Sequence, residues 1–191
     1  MRSFERIALT MLVASFVALL VAPTAMAKLQ LRVLGLQPGH RFGPDQVYNG
    51  FGCTGRNLSP ALRISGAPTR TKSLAVTIHD PDAATQSGWW HWLVYDLPAP
   101  TRRLAEGAGA GAVAGAGLPA GAHQGPSDFS KPAYGGVCPP SGDRAHRYRV
   151  TVWALKVPSI GAPAGASAAL IDYLVETNAI AHRTVVVRYA R

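Results

Sequence analysis

Five separate runs in this chain carry the period-two patterning of half-buried β-strands, and that period leaves little room for other folds. They are Leu29 to Leu36 (LQLRVLGL), Ser73 to His79 (SLAVTIH), Trp90 to Leu97 (WHWLVYDL), His146 to Leu155 (HRYRVTVWAL) and Thr184 to Tyr189 (TVVVRY). Gly, Pro, Asn and Asp separate the runs, so the expected architecture is a mostly antiparallel β-sandwich. One helix is expected, over Ser167 to Ala179, where Leu170, Ile171, Leu174 and Val175 share a face just after the breakers Pro163 and Gly165. Its expected role is to seal one end of the sheet.

The first residues bear on compartment rather than fold. Arg2 and Arg6 precede an apolar run from Ile7 to Val21, and Ala25-Met26-Ala27 matches a signal-peptidase site. Residues 1–27 are therefore read as a signal peptide, and 28–191 as a single exported domain, periplasmic or secreted. No later run reaches the ~18 apolar residues that a membrane span requires. The formal charge is +9, of which the leader supplies a net one unit. That balance favours anionic partners, but the arginines are scattered and form no dense basic tract, which argues against nucleic acid. Cys53 and Cys138 lie in the turns FGCTG and YGGVCPP, and in an oxidising compartment they are read as a disulfide. Their spacing is a poor zinc signature. Gly107 to Gly121 (GAGAGAVAGAGLPAG) offers little side chain to bury and reads as a flexible surface loop, placed where it could gate a site.

The chemistry-bearing residues fall near strand ends. Asp80 and Asp82 flank Pro81 where the second run stops. Strict alternation puts His91, Leu93 and Tyr95 on one face of their strand, with Trp90, Trp92 and Val94 on the other. In HRYRVTV, His146 and Tyr148 share a face opposite Arg147 and Arg149, and Pro139-Pro140 stiffens the approach. If these strands are neighbours, two carboxylates, two imidazoles, a phenol and a proline wall converge. Such a set could be a metal site, an acid/base pair, a ligand cradle or a well-capped turn. A hydrolase or lyase is one reading, although the chain has no G-x-S-x-G, HExxH or P-loop.

Several motifs together make the chain resemble the phosphatidylethanolamine-binding protein family, in its bacterial Raf-kinase-inhibitor-like branch. They are NLSPAL (Asn57 to Leu62), TKSLAV (Thr71 to Val76), DPDA (Asp80 to Ala83), GWWHWLVYDLPA (Gly88 to Ala99), and YGGVCPPSG followed by HRYRVTVWAL. The resemblance runs from about Leu29 to the C-terminus. It implies a β-sandwich with a large antiparallel sheet, a smaller sheet and peripheral helices. It also implies a pocket for small anions or phospholipid head groups, built from Asp80, Asp82, His91, Pro139, Pro140, His146 and Tyr148. The aspartates would orient the histidines, and the histidines would donate to the anion. Paired cysteines also resemble exported members of the branch, supporting a Cys53–Cys138 bridge. No cofactor, metal or catalytic residue is implied. The partners expected are a small anionic ligand or lipid head group and, as a second class, a protein of the cell envelope contacted by an inhibitor or signalling module. Two positions depart from the pattern: Ala84 stands where relatives carry proline, and a DFG-like element reads Asp128-Phe129-Ser130.

Overall fold

The computed structural model describes residues 28–110 and 117–191. The proposed signal peptide and residues 111–116 of the Gly/Ala-rich segment lie outside the described residues.

The strands are β1 (Gln30–Val33), β2 (Asn49–Gly50), β3 (Cys53–Thr54), β4 (Leu62–Ser65), β5 (Ser73–Asp80), β6 (Trp89–Pro98), β7 (Arg103–Leu104), β8 (His123–Gln124), β9 (His146–Leu155) and β10 (Ala179–Tyr189). The helix α1 (Ala168–Asn178) runs directly into β10. All pairings between these strands are antiparallel. The large sheet has the order β10-β9-β5-β6-β8, and the smaller sheet β1-β4-β7. The fold is mostly β, as the alternating runs imply.

Each face of the large sheet buries a different cluster. On one face Leu74, Val76, Ile78, Trp92, Val94, Tyr148, Val150 and Val152 pack against Leu31, Leu62, Ile64 and Leu104 of the small sheet. This is the sandwich core. On the other face Ala75, Leu93 and Leu155 receive Ile171 and Val175 of α1, beside Ile160. The helix begins as its sequence indicates, with Ser167 accepting a hydrogen bond from the Leu170 amide. Of the four residues expected to face the sheet, Ile171 and Val175 are buried, while Leu170 is exposed.

The Gly/Ala-rich segment is anchored where it starts. Gly109 donates its amide to Ser59 Oγ at 2.8 Å, and the Tyr134 amide donates to the Gly109 carbonyl at 2.9 Å. Ala108 is buried in the sandwich core. Side-chain poverty there permits close approach of backbone to Trp92 rather than looseness; a Cβ on Gly109 would press on the indole at 2.7 Å.

Candidate functional site

The central pair of strands carries a β-bulge that rearranges the site. β5 and β6 pair Ile78 with Trp92 and then His79 with Trp90, so His91 is the extra residue of β6. This corrects the strict alternation expected there. Trp90 lies on the helix-bearing face with Leu93 rather than with Trp92, and His91 turns to the sandwich face with Trp92. One inserted residue thus moves the imidazole across the sheet, toward Asp80 and Tyr148.

The result is a pocket of about 240 Å³ at the end of β5, β6 and β9. His91, Asp80, His146 and Tyr148 line it from the strands, and Pro139 and Pro140 from the preceding loop. Trp89 and Phe129 close another side, and Ala84 lies in the wall. Six of the seven expected residues are brought together. Asp82 is not among the lining residues.

Asp80 and Asp82 do different work. Asp80 is buried: its Oδ2 accepts from His146 Nδ1 at 2.7 Å, and its Oδ1 accepts from the Asp82 amide at 2.9 Å. Pro81 and that second bond turn the chain so that the Asp82 carboxylate faces away from the pocket. It accepts from the Arg147 amide and guanidinium at 2.7–2.9 Å, and from Arg144 at 3.2 Å. Its side chain is 3% exposed. Hydrogen bonds from Arg147 hold its pKa well below the usual carboxylate range, against the opposing effect of burial. Asp82 fixes the start of β9 and so the position of His146.

His91 is not oriented by a carboxylate. Its Nδ1 donates to the Gly135 carbonyl at 2.7 Å. Burial lowers its pKa to about 4, outweighing the favourable Gly135 bond and the charge of Asp80. The ring is therefore neutral near pH 7. Burial, with a contribution from the Asp80 charge, pushes the Tyr148 phenol upward, which keeps its hydroxyl protonated. Among the described residues, four buried side-chain polar atoms have no hydrogen-bond partner, and three belong to residues that line this pocket: Trp89 Nε1, His91 Nε2 and Tyr148 Oη. The fourth is Thr71 Oγ1. A buried polar group without a partner costs about 1–3 kcal/mol, so three at one place is an uncommon expense for a core.

The family resemblance implies that Asp128-Phe129-Ser130 adjoins the pocket; the aromatic rim that Phe129 forms with Trp89, Tyr48 and Phe51 was not read from the sequence. Phe129 lies 5.5 Å from Trp89, 5.6 Å from His91 and 4.3 Å from Tyr48 between ring centroids. Phe51, 72% exposed, joins it at 6.0 Å. Asp128 seats this loop on β6: its Oδ2 accepts from the Trp90 amide at 2.7 Å, and its own amide donates to the Trp90 carbonyl at 2.9 Å. Ser130 holds a positive φ of 62°, the conformation in which a glycine of a DFG-like element costs less. A Cβ at Gly135 would run into the Phe129 ring. The signal available in sequence was Trp89, an indole donor that pairs with Asp80 across the β5–β6 ladder.

Cys53 and Cys138 form a disulfide across 85 positions of chain. It ties β3, next to Phe51, to the residue preceding the two prolines. Among the described residues, no group of three or more His, Cys, Asp or Glu is placed to share a metal ion. No described helix is long and apolar enough to cross a membrane.

Comparison with known proteins gives a consistent result. The family model described as phosphatidylethanolamine-binding protein matches residues 37–190. The chain is 42% identical over 172 residues to the UPF0098 protein YbcL of Escherichia coli, covering 90% of this chain and 93% of that one. It is 42% identical over 155 residues to the UPF0098 protein YbhB of the same organism, covering 81% and 96%. The crystal structure of Escherichia coli YbcL, described as a new member of the mammalian PEBP family, superimposes with a TM-score of 0.82 at 43% identity. That match covers 86% of this chain and 99% of YbcL.

Proposed function

Because the chain belongs to the phosphatidylethanolamine-binding protein family, we propose that it is an exported small-ligand binding protein whose pocket receives an anionic group. The group is a phosphate, a phospholipid head group or a carboxylate. The observation that carries this reading is the meeting of Trp89 Nε1, His91 Nε2 and Tyr148 Oη, all buried and unpaired, in one pocket. A ligand that bonds to them recovers the cost of leaving them dry. The hydrogen bond to Asp80 keeps His146 oriented, and Pro139, Pro140 and Phe129 supply apolar walls for the rest of the ligand. The leader-like residues 1–27 and the disulfide support the export part of the reading.

Calorimetry with phosphoethanolamine, inorganic phosphate and acetate, from about pH 5.5 to about pH 8.5, tests it. We expect at least one of the three to bind, through the unpaired groups of Trp89, His91 and Tyr148. Absence of binding by all three would overturn the reading.

A second reading is favoured by Phe51, an exposed aromatic held against Tyr48 at 5.6 Å at the pocket mouth. Such a side chain suits a protein partner in the envelope. A partner captured from the envelope fraction by the wild type and equally by Phe51→Ser would remove that support.

A further inference from the structure

The hydrogen bonds around His91 fix where a ligand must carry hydrogen. A carbonyl oxygen only accepts, so across the 2.7 Å contact with Gly135 the hydrogen sits on His91 Nδ1. In the neutral ring Nε2 is then a bare lone pair, and this is the atom left unpaired in the pocket. The other two unpaired groups each carry a hydrogen. An indole nitrogen only donates, and the protonated Tyr148 hydroxyl, beside the Asp80 carboxylate and without a hydrogen-bond partner, can donate as well as accept. The pocket thus presents two groups able to donate and one that only accepts.

We infer that the pocket selects an oxyacid that still carries a proton, a hydrogen-phosphate group such as a phosphomonoester or orthophosphate, over a phosphodiester. This rests on the anion-binding reading above and specifies its ligand. A hydrogen phosphate answers all three groups, accepting from Trp89 and Tyr148 and donating its P–OH to His91 Nε2. A phosphodiester has acceptors only and would set lone pair against lone pair. An ammonium group could donate to His91 but would leave Trp89 unanswered.

A diester has one escape, which is for His91 to take up a proton. The groups packed around the ring make that costly. Asp80 on β5 favours the charged ring, but its carboxylate is already engaged by His146 and the Asp82 amide. His79, from the same strand, opposes protonation. Tyr148 on β9 and Phe129 offer neutral rings at 5.2 and 5.6 Å. Burial holds the His91 pKa at about 4, so the charged ring is a small minority at pH 7.

The test compares methyl phosphate, dimethyl phosphate and ethanolamine by calorimetry in two buffers of different ionisation enthalpy. Phosphomonoesters lose their second proton near pH 6. Methyl phosphate should therefore weaken about tenfold per pH unit above that value, with close to one proton taken up per molecule bound near pH 8. Dimethyl phosphate should bind at least about tenfold more weakly at pH 7, and ethanolamine alone should not bind. Nitrogen NMR of the free protein should show an unprotonated Nε2 on His91, which gains a hydrogen-bond partner with methyl phosphate.

Equal affinity for the two phosphates at pH 7.5 overturns the inference while leaving anion binding intact. No binding of either phosphate at any pH removes both. His91→Gln places a carboxamide that can turn a donor to the ligand. It should raise dimethyl phosphate affinity relative to methyl phosphate, and an unchanged ratio in a variant whose melting shows it folded counts against the inference. The wild-type comparison stands without that variant.

Discussion

The two faces of the large sheet are made by the same strands and treat polar side chains in opposite ways. On the helix-bearing face, Trp153 Nε1 donates to Thr77 Oγ1 at 3.0 Å, and Thr151 and Thr184 share a hydrogen bond at 2.9 Å. His79 Nε2 donates to the Ser87 carbonyl at 2.8 Å. On the sandwich face, at the pocket, Trp89, His91 and Tyr148 each keep one buried polar atom without a partner. The sheet pairs an indole with a hydroxyl at Trp153, and at Trp89 it does not. Satisfied polar groups hold the fold; unsatisfied ones in a cavity are capacity held for a ligand.

The largest effect should come from the element that closes the pocket side. Replacing both cysteines, Cys53→Ser with Cys138→Ser, removes a cross-link over 85 positions. On the chain-entropy account this costs about 4–5 kcal/mol, read by denaturant unfolding under oxidising conditions. The same variant should bind anions more weakly, since Cys138 leads directly into the proline wall. A loss below about 1 kcal/mol would mean that the aromatic rim, not the bridge, holds that side.

Next is Asp82, whose carboxylate stands just outside the pocket. Asp82→Asn should cost about 1.5–3 kcal/mol at neutral pH, by loss of charged hydrogen bonds to Arg147 and Arg144. The sign with pH follows from the depressed folded-state pKa. The wild-type advantage is full above the ordinary carboxylate value near 4 and fades as pH falls through and below it. Wild type and variant should therefore converge in acid. His91 acts in the adjoining window. Its pKa of about 4 when folded lies below the ordinary histidine value of 6.5, so the unfolded chain binds more protons between these values, and stability falls as pH drops through them. A melting profile flat from pH 7 to pH 4 would contradict a neutral buried His91.

Much of this was legible beforehand because it followed from period and punctuation. The expected β9 span was His146 to Leu155, which is the span found, because ten alternating residues leave no other register. His146 and Tyr148 share the pocket face for the same reason. Alternation failed at His91 because a bulge depends on what the neighbouring strand offers, and nothing within WHWLVYDL announces it. The two aspartates looked equivalent because composition does not show which way a turn points; the Asp80 side chain accepting the Asp82 amide decides it. Phe51 and Phe129 come from distant loops, and their meeting depends on Asp128 docking to β6 and on the bridge at Cys53. Long-range seats of that kind have no local signature.

A smaller effect tests the satisfied face. Thr77→Val leaves the Trp153 indole nitrogen without its acceptor and should cost about 1–2 kcal/mol. Anion affinity should not change, because Thr77 and Trp153 lie on the far side of the sheet from the pocket. A loss of binding without a loss of stability would mean that the two faces are coupled, and the contrast between them would fail.

The smallest change in stability, and the most decisive for the comparison, is expected from Tyr148→Phe. The Tyr148 ring packs at the centre of the sandwich core, 5.8 Å from Phe42 and 5.2 Å from His91. Phenylalanine keeps those contacts and deletes only the hydroxyl. If that hydroxyl were part of the fold's hydrogen bonding, its removal would cost about 1 kcal/mol, as Thr77→Val does. Because it has no partner, its removal should leave stability unchanged or raise it by up to about 1 kcal/mol, since the fold no longer buries a dry hydroxyl. Ligand affinity should fall instead, by about fivefold to tenfold for a single neutral hydrogen bond. Thr77→Val and Tyr148→Phe thus move stability and binding in opposite patterns. Unfolding and phosphate titration of the pair, side by side, distinguish a polar atom that holds this sheet together from one kept open for a ligand.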